Sequence, residues 1–146
     1  MSKLFPEPNA IFLENTINEL VLALNLKRQS LLDHYSVNEL EVDIIAYLQE
    51  QEQKKMKEVG EHFNIKLSTL TSTIDKLEKL KLVKRKNSKD DRRVIYIKPT
   101  SKGQNLLSEI NSPARNIADG IIREMNKSDF DIVQKSINRM LELAKG

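Results

Sequence analysis

The sequence predicts a mainly α fold with a small two- or three-stranded β wing. Apolar residues recur at helical spacing along most of the 146 residues. One stretch after Lys81 alternates with a period of two instead. Only four Gly and four Pro are available for turns, too few for an all-β protein. Hydrophobic residues at 39% and charged residues at 31% suit an ordinary folded globule, so a single domain over residues 1–146 is expected. Cysteine is absent, which excludes a disulfide scaffold, a thiolate metal cage and a thiol redox sensor. No apolar run approaches the roughly 18 residues of a membrane span. Residues 1–6 are too short and too interrupted for a signal peptide, so a cytoplasmic protein without membrane partners is expected.

Each element follows from its own pattern. After Pro6 to Asn9, the residues Leu13, Ile17, Leu20, Val21, Leu24 and Leu31 describe a long amphipathic helix to about Leu32. Asn38 and Glu41 have capping-box spacing, and Val42, Ile45 and Leu48 continue a second helix to about Gln51. Met56, Val59, Gly60 and Phe63 mark a short third helix in which Gly60 permits a close neighbour; Asn64-Ile65 breaks it. Leu67, Leu70, Ile74 and Leu77 form the apolar stripe of a fourth helix, opposite Ser68, Thr69, Ser72, Asp75, Lys76 and Lys79. Residues 82–86 and 94–98 read as two strands around a polar run from Asn87 to Arg93, long enough to protrude and to be mobile without a ligand. Thr100 or Ser101 caps a fifth helix with Pro113 as its kink, and Ser128 with Asp131 starts the last.

The net charge of +3 conceals an asymmetry. Residues 66–102 hold 12 Lys and Arg against 4 Asp and Glu, a net of +8, which leaves −5 for the rest. A basic middle between acidic flanks points to a polyanion. Short helix, tight turn and a second helix with a polar outer face make a helix-turn-helix, whose second helix can enter the DNA major groove. Ser and Thr hydrogen-bond to base edges or phosphate, Lys76 and Lys79 neutralise phosphate, and Arg85, Arg92 and Arg93 can reach backbone or a narrow minor groove. The order of the elements, together with the local charge, makes double-stranded DNA the expected partner.

The stretch from Met56 to Gly103 resembles the winged helix-turn-helix of the MarR family of bacterial and archaeal regulators. Its most specific piece is Asp90-Asp91-Arg92-Arg93-Val94-Ile95-Tyr96-Ile97-Lys98-Pro99-Thr100-Ser101-Lys102-Gly103. Asp91-Arg92-Arg93 matches the family's Asp-x-Arg wing signature, and residues 99–103 match its Leu-Thr-x-x-Gly helix start. The resemblance implies that Arg93 enters the minor groove while Asp91 orients it, and that Ser68, Thr69, Thr71 and Ser72 face the major groove. It further implies a homodimer on a pseudo-palindromic operator, with a winged helix-turn-helix over about 36–102 and dimerisation helices over about 9–32 and 103–145. Three residues depart from the family pattern. Lys81 stands at the usual Gly and would take a left-handed cap at a cost of about 1 kcal/mol. Pro99 replaces Leu and suits an edge position, and Gly60 replaces Ala.

The resemblance also implies release from DNA by a small aromatic or anionic effector. Phe12, His34, Tyr35, Tyr47 and Phe63 are the aromatic residues that could line its pocket, although aromatics at helical spacing more often belong to a core. The lack of Cys argues against the peroxide-sensing branch of the family. His34 and His62 do not form a metal-ligand spacing. No catalytic triad, carboxylate pair, phosphate loop or cofactor motif rises above chance, so neither an enzyme nor a cofactor is expected. The sequence reading is a DNA-binding regulator, with repression as the expected action. The alternatives are a winged-helix protein-interaction module and a non-specific DNA binder.

Overall fold

The computed structural model describes residues 7–50, 53–91 and 93–146. The chain begins with α1 (Glu7–Tyr35) and α2 (Glu39–Gln49), followed by a two-residue strand β1 (Lys54–Lys55). Next come α3 (Met56–His62) and α4 (Leu67–Lys79), then the wing strands β2 (Val83–Asn87) and β3 (Ile95–Pro99). The long helix α5 (Ser101–Glu124) and α6 (Lys127–Lys145) complete it. The mainly α fold with a three-stranded wing is the one expected from periodicity and turn content.

Helix boundaries follow local chemistry. Asn38 caps α2 by accepting from the Glu41 N–H at 2.9 Å, while the Glu41 carboxylate accepts from the Asn38 N–H at 2.9 Å. This reciprocal box is the one its spacing predicts. Helix α6 starts earlier than expected, with Asn126 rather than Ser128 as its cap. The Asn126 side chain accepts from the Asp129 N–H at 3.0 Å and donates to the Asp129 carboxylate at 2.8 Å. The amide of Asn126 uses its oxygen and its nitrogen at once, which a single serine hydroxyl oxygen cannot reproduce from two separate atoms. Helix α5 contains Pro113 in its interior, as its periodicity on both sides of that residue predicts.

Helices α1, α3 and α4 each end in a left-handed residue that is not glycine: Ser36, Asn64 and Lys81, with φ of 56°, 51° and 61°. In each the next residue's N–H reaches back five positions, as Leu82 does to the Leu77 carbonyl at 2.9 Å. The geometry is that of a Schellman cap. Lys81 therefore occupies the strained cap that its sequence position predicts.

The sheet order is β1-β3-β2, all antiparallel, with Lys54 opposite Ile97 and Arg85 opposite Ile97 on the other side. Because β3 is the central strand, Pro99 does not sit on an edge. It is the last residue of β3, paired with Val83 and beyond the reach of β1, so its missing N–H interrupts no ladder.

Contacts divide the chain into a unit that ends at Asn111 and a second unit, Ser112–Gly146. The core of the first contains Ile44, Ile45, Leu48, Val59, Leu70, Ile74, Leu77, Leu82, Ile97 and Leu106, all fully buried. In the second, α6 has no buried residue, and its Phe130, Ile132, Ile137, Leu141 and Leu143 are exposed. Much of α1 is similar, with Phe12, Leu13, Ile17, Leu20 and Val21 exposed. No helix among the described residues is long and apolar enough to cross a membrane.

Candidate nucleic-acid interface

Helix α4 presents its polar side because Leu70, Ile74 and Leu77 fix the opposite side in the core. Ser68, Thr69, Thr71, Ser72, Asp75, Lys76 and Lys79 are exposed. The hydroxyls of Thr71 and Ser72 donate to the Leu67 and Thr69 carbonyls, both at 2.8 Å, which leaves their oxygen lone pairs outward as acceptors. Ser68 and Thr69 hydroxyls have no partner among the described residues. The start of α4 has neither a side-chain cap nor an acidic residue in its first turn, so its positive dipole end is uncompensated.

Leu67 departs from the expected pattern. Its spacing assigns it to the core stripe, yet it is 63% exposed. Lying at the first turn of α4, it has no preceding turn to cover it, and it borders a cleft shared with Lys55, Met56, Lys57, Arg93, Val94 and Ile95.

The wing is tied to α4 through Arg85. Its guanidinium meets the Asp75 and Glu78 carboxylates, both at 2.6 Å, and donates to the Thr71 carbonyl at 3.2 Å. The Arg85 main-chain N–H donates to the same Glu78 at 2.9 Å. Its donors are thus directed at the protein, and the side chain acts as a brace between wing and helix. Lys76 is similarly engaged: its Nζ lies 2.9 and 2.8 Å from the two Glu41 oxygens. The sequence contains a hint of the first arrangement, since Asp75 and Glu78 share a face three residues apart just before a basic strand. The second joins residues 35 positions apart, and no local pattern shows it.

At the wing tip, Ser88 Oγ accepts from the Asp90 and Asp91 N–H groups at 3.2 and 3.3 Å. The Asp91 carboxylate accepts from the main-chain N–H of Arg93 at 2.9 Å. Asp91 therefore orients Arg93 through its backbone. The Arg93 guanidinium is exposed and has no partner among the described residues. Arg92 lies outside the described residues.

The junction behind the wing explains residues 99–103. Thr100 Oγ1 accepts from the Gly103 N–H at 3.1 Å, capping α5, and donates to the Lys81 carbonyl at 2.6 Å. The Thr100 N–H donates to the Leu82 carbonyl at 3.0 Å. A Cβ on Gly103 would stand 2.2 Å from that same carbonyl oxygen, so only glycine lets α5 seat against the exit of α4.

The aromatic residues that could line an effector pocket do not form one cluster. Tyr47 stacks on His62 with centroids 3.9 Å apart and meets Phe63 edge-on at 5.6 Å, and Lys54 Nζ lies 4.1 Å above its ring. His34 and Tyr35 meet edge-on at 5.1 Å. Burial, followed by a hydrogen bond to Glu109, raises the Tyr35 phenol above its ordinary pKa. Phe12 is 70% exposed and lies on the same helix as Tyr35, roughly 35 Å away at about 1.5 Å of rise per residue.

A helix-turn-helix buttressed by a three-stranded sheet, with a basic hairpin beside its second helix, defines a winged helix-turn-helix protein. The MarR family model matches residues 37–95, the stretch that holds α2, α3, α4 and the first wing strand. The chain is 24% identical over 129 residues to the HTH-type transcriptional regulator MhqR of Bacillus subtilis, covering 84% of this chain and 89% of that one. Among solved structures it is similar to the S. aureus MepR–DNA complex, with TM-score 0.75, 15% identity and coverage of 90% and 98%. It is also similar to S. aureus MepR bound to ethidium bromide, with TM-score 0.72, 16% identity and coverage of 98% and 99%.

Proposed function

We propose that this protein is a sequence-specific DNA-binding transcriptional regulator that represses by occluding a promoter as a homodimer. The observation that carries the reading is the pairing of an exposed hydroxyl- and lysine-bearing face on α4 with an exposed Arg93 guanidinium at the wing tip that has no partner among the described residues. Ser68, Thr69, Thr71 and Ser72 meet base edges and phosphates in the major groove, while Arg93, placed by Asp91, enters the adjacent minor groove. Arg92 belongs to the same contact. Lys76 and Arg85 border the contact and hold the helix in position. The MepR–DNA complex of the same fold supports this placement.

Residues 1–146 act as one MarR-like domain, with the winged part over about 36–102. The exposed apolar residues of α1 and α6 support pairing of two chains through the end helices. Two-fold symmetry then matches a pseudo-palindromic operator. A small aromatic or anionic effector releases the DNA, a reading supported by the ethidium complex of MepR.

Selection of genomic fragments by the purified protein at near-physiological salt tests the proposal. The expected result is a palindrome with half-sites about one helical turn apart. Retention that depends on salt but not sequence would identify a non-specific binder, and no retention would favour a protein-interaction module.

A further inference from the structure

Leu67 is 63% exposed at the first turn of the helix assigned to the major groove, where every other outward side chain is polar or charged. The apolar side chains of the stripe behind it, Leu70, Ile74 and Leu77, are fully buried. Lys55, Lys57 and Arg93 border the same cleft as Leu67, together with Met56, Val94 and Ile95, so the surroundings suit a polyanion that also presents an apolar group. Thr71, one turn further along, places its hydroxyl on the Leu67 carbonyl and keeps that turn closed. An isobutyl group beside cations and apolar side chains at the start of a DNA-facing helix has one apolar target in the major groove, the C5-methyl of thymine.

We propose that Leu67 is a specificity-determining residue that selects thymine at one position of each half-site by packing on its C5-methyl group. The assignment rests on the DNA-binding reading above. It accounts for the exposed leucine, which gains burial only when the protein is bound. It also divides the labour on α4: the Ser68 and Thr69 hydroxyls, which can donate or accept, give latitude, and the apolar residue adds discrimination.

The test uses duplexes made from the fragments that the full chain enriches, with each thymine replaced in turn by deoxyuridine. That exchange removes only the methyl group and keeps the base pair. With the wild-type protein, one replacement per half-site is expected to weaken binding about threefold to tenfold. In Leu67→Ala the same replacement is expected to have no effect, with thermal unfolding unchanged because the side chain lies outside the core. Equal methyl sensitivity in both proteins, or none in the wild type, would overturn the assignment while leaving DNA binding intact. Failure of the wild-type protein to retain any sequence would overturn the DNA-binding reading and the assignment with it.

Discussion

Lys76 Nζ lies 2.9 and 2.8 Å from the two carboxylate oxygens of Glu41, and Glu41 is only 4% exposed. One of those oxygens also accepts the Asn38 N–H. A single carboxylate thus caps α2 and receives the cation of α4. Breaking such a pair leaves a desolvated charge without its partner. Lys76→Ala is expected to lower stability by about 1 to 3 kcal/mol, less than for a fully buried pair because Lys76 itself is half exposed. Urea unfolding checks it, and an unchanged midpoint would show that water replaces the ammonium without loss.

Arg93→Ala removes the guanidinium without touching the turn, which is held by main-chain groups, Ser88 and Asp91. Operator affinity is expected to fall by about 1 to 3 kcal/mol with the melting temperature unchanged. Fluorescence anisotropy on a selected fragment measures it; wild-type affinity would remove the wing tip from recognition.

At Gly103 the opposite pattern is expected. A methyl group at this position would meet the Leu82 carbonyl oxygen at 2.2 Å, a carbonyl already bonded to the Thr100 N–H. Gly103→Ala should cost about 1 to 3 kcal/mol, the range of overpacked sites, despite the better helix propensity of alanine. A stabilised variant in thermal unfolding would contradict the close approach.

Lys81→Gly should stabilise the protein by about 0.5 to 1 kcal/mol. Its φ of 61° strains any residue with a Cβ, and the relief exceeds the added freedom of the unfolded chain. Denaturant midpoints of the two proteins decide the sign.

Glu39 links stability to pH. A hydrogen bond from Arg28, at 2.8 and 2.6 Å, holds its carboxyl below the usual value, with burial opposing and charge attraction assisting. A carboxyl that ionises more readily when folded stabilises the fold above its unfolded pKa, and that contribution is lost as pH falls through the folded value. Glu39→Gln should therefore match wild-type stability at acid pH and fall below it at neutral pH. The difference should stay under about 1 kcal/mol because the pair is exposed.

Much of this is legible in the sequence alone. Asn38 and Glu41 announced their capping box, Leu70, Ile74 and Leu77 their buried stripe, and residues 82–98 the change of period that became the wing. What escaped had physical reasons. Lys54-Lys55 is too short to alternate and becomes a strand only because Ile97 and Tyr96 stand beside it. Leu67 obeys the helical period but lacks a covering turn. Ser128 has the spacing of a cap with Asp131, yet Asn126, two residues earlier, bonds Asp129 through both its oxygen and its nitrogen and starts α6 instead. Lys76 and Arg85 carry the charges expected of phosphate ligands; their carboxylate partners, Glu41, 35 positions from Lys76, and Asp75 and Glu78 on the helix before Arg85, also draw those charges.

The brace formed by Arg85 also limits how a signal could travel. With Asp75, Glu78 and the Thr71 carbonyl all gripped by one wing residue, the helix and the wing are tied into a single jaw. In the proposed dimer the adjustable quantity is then the gap of a calliper, the span between two stiff jaws, rather than the shape of either. An effector would silence such a protein by changing that span, with no need to unfold or reshape the surface that touches DNA.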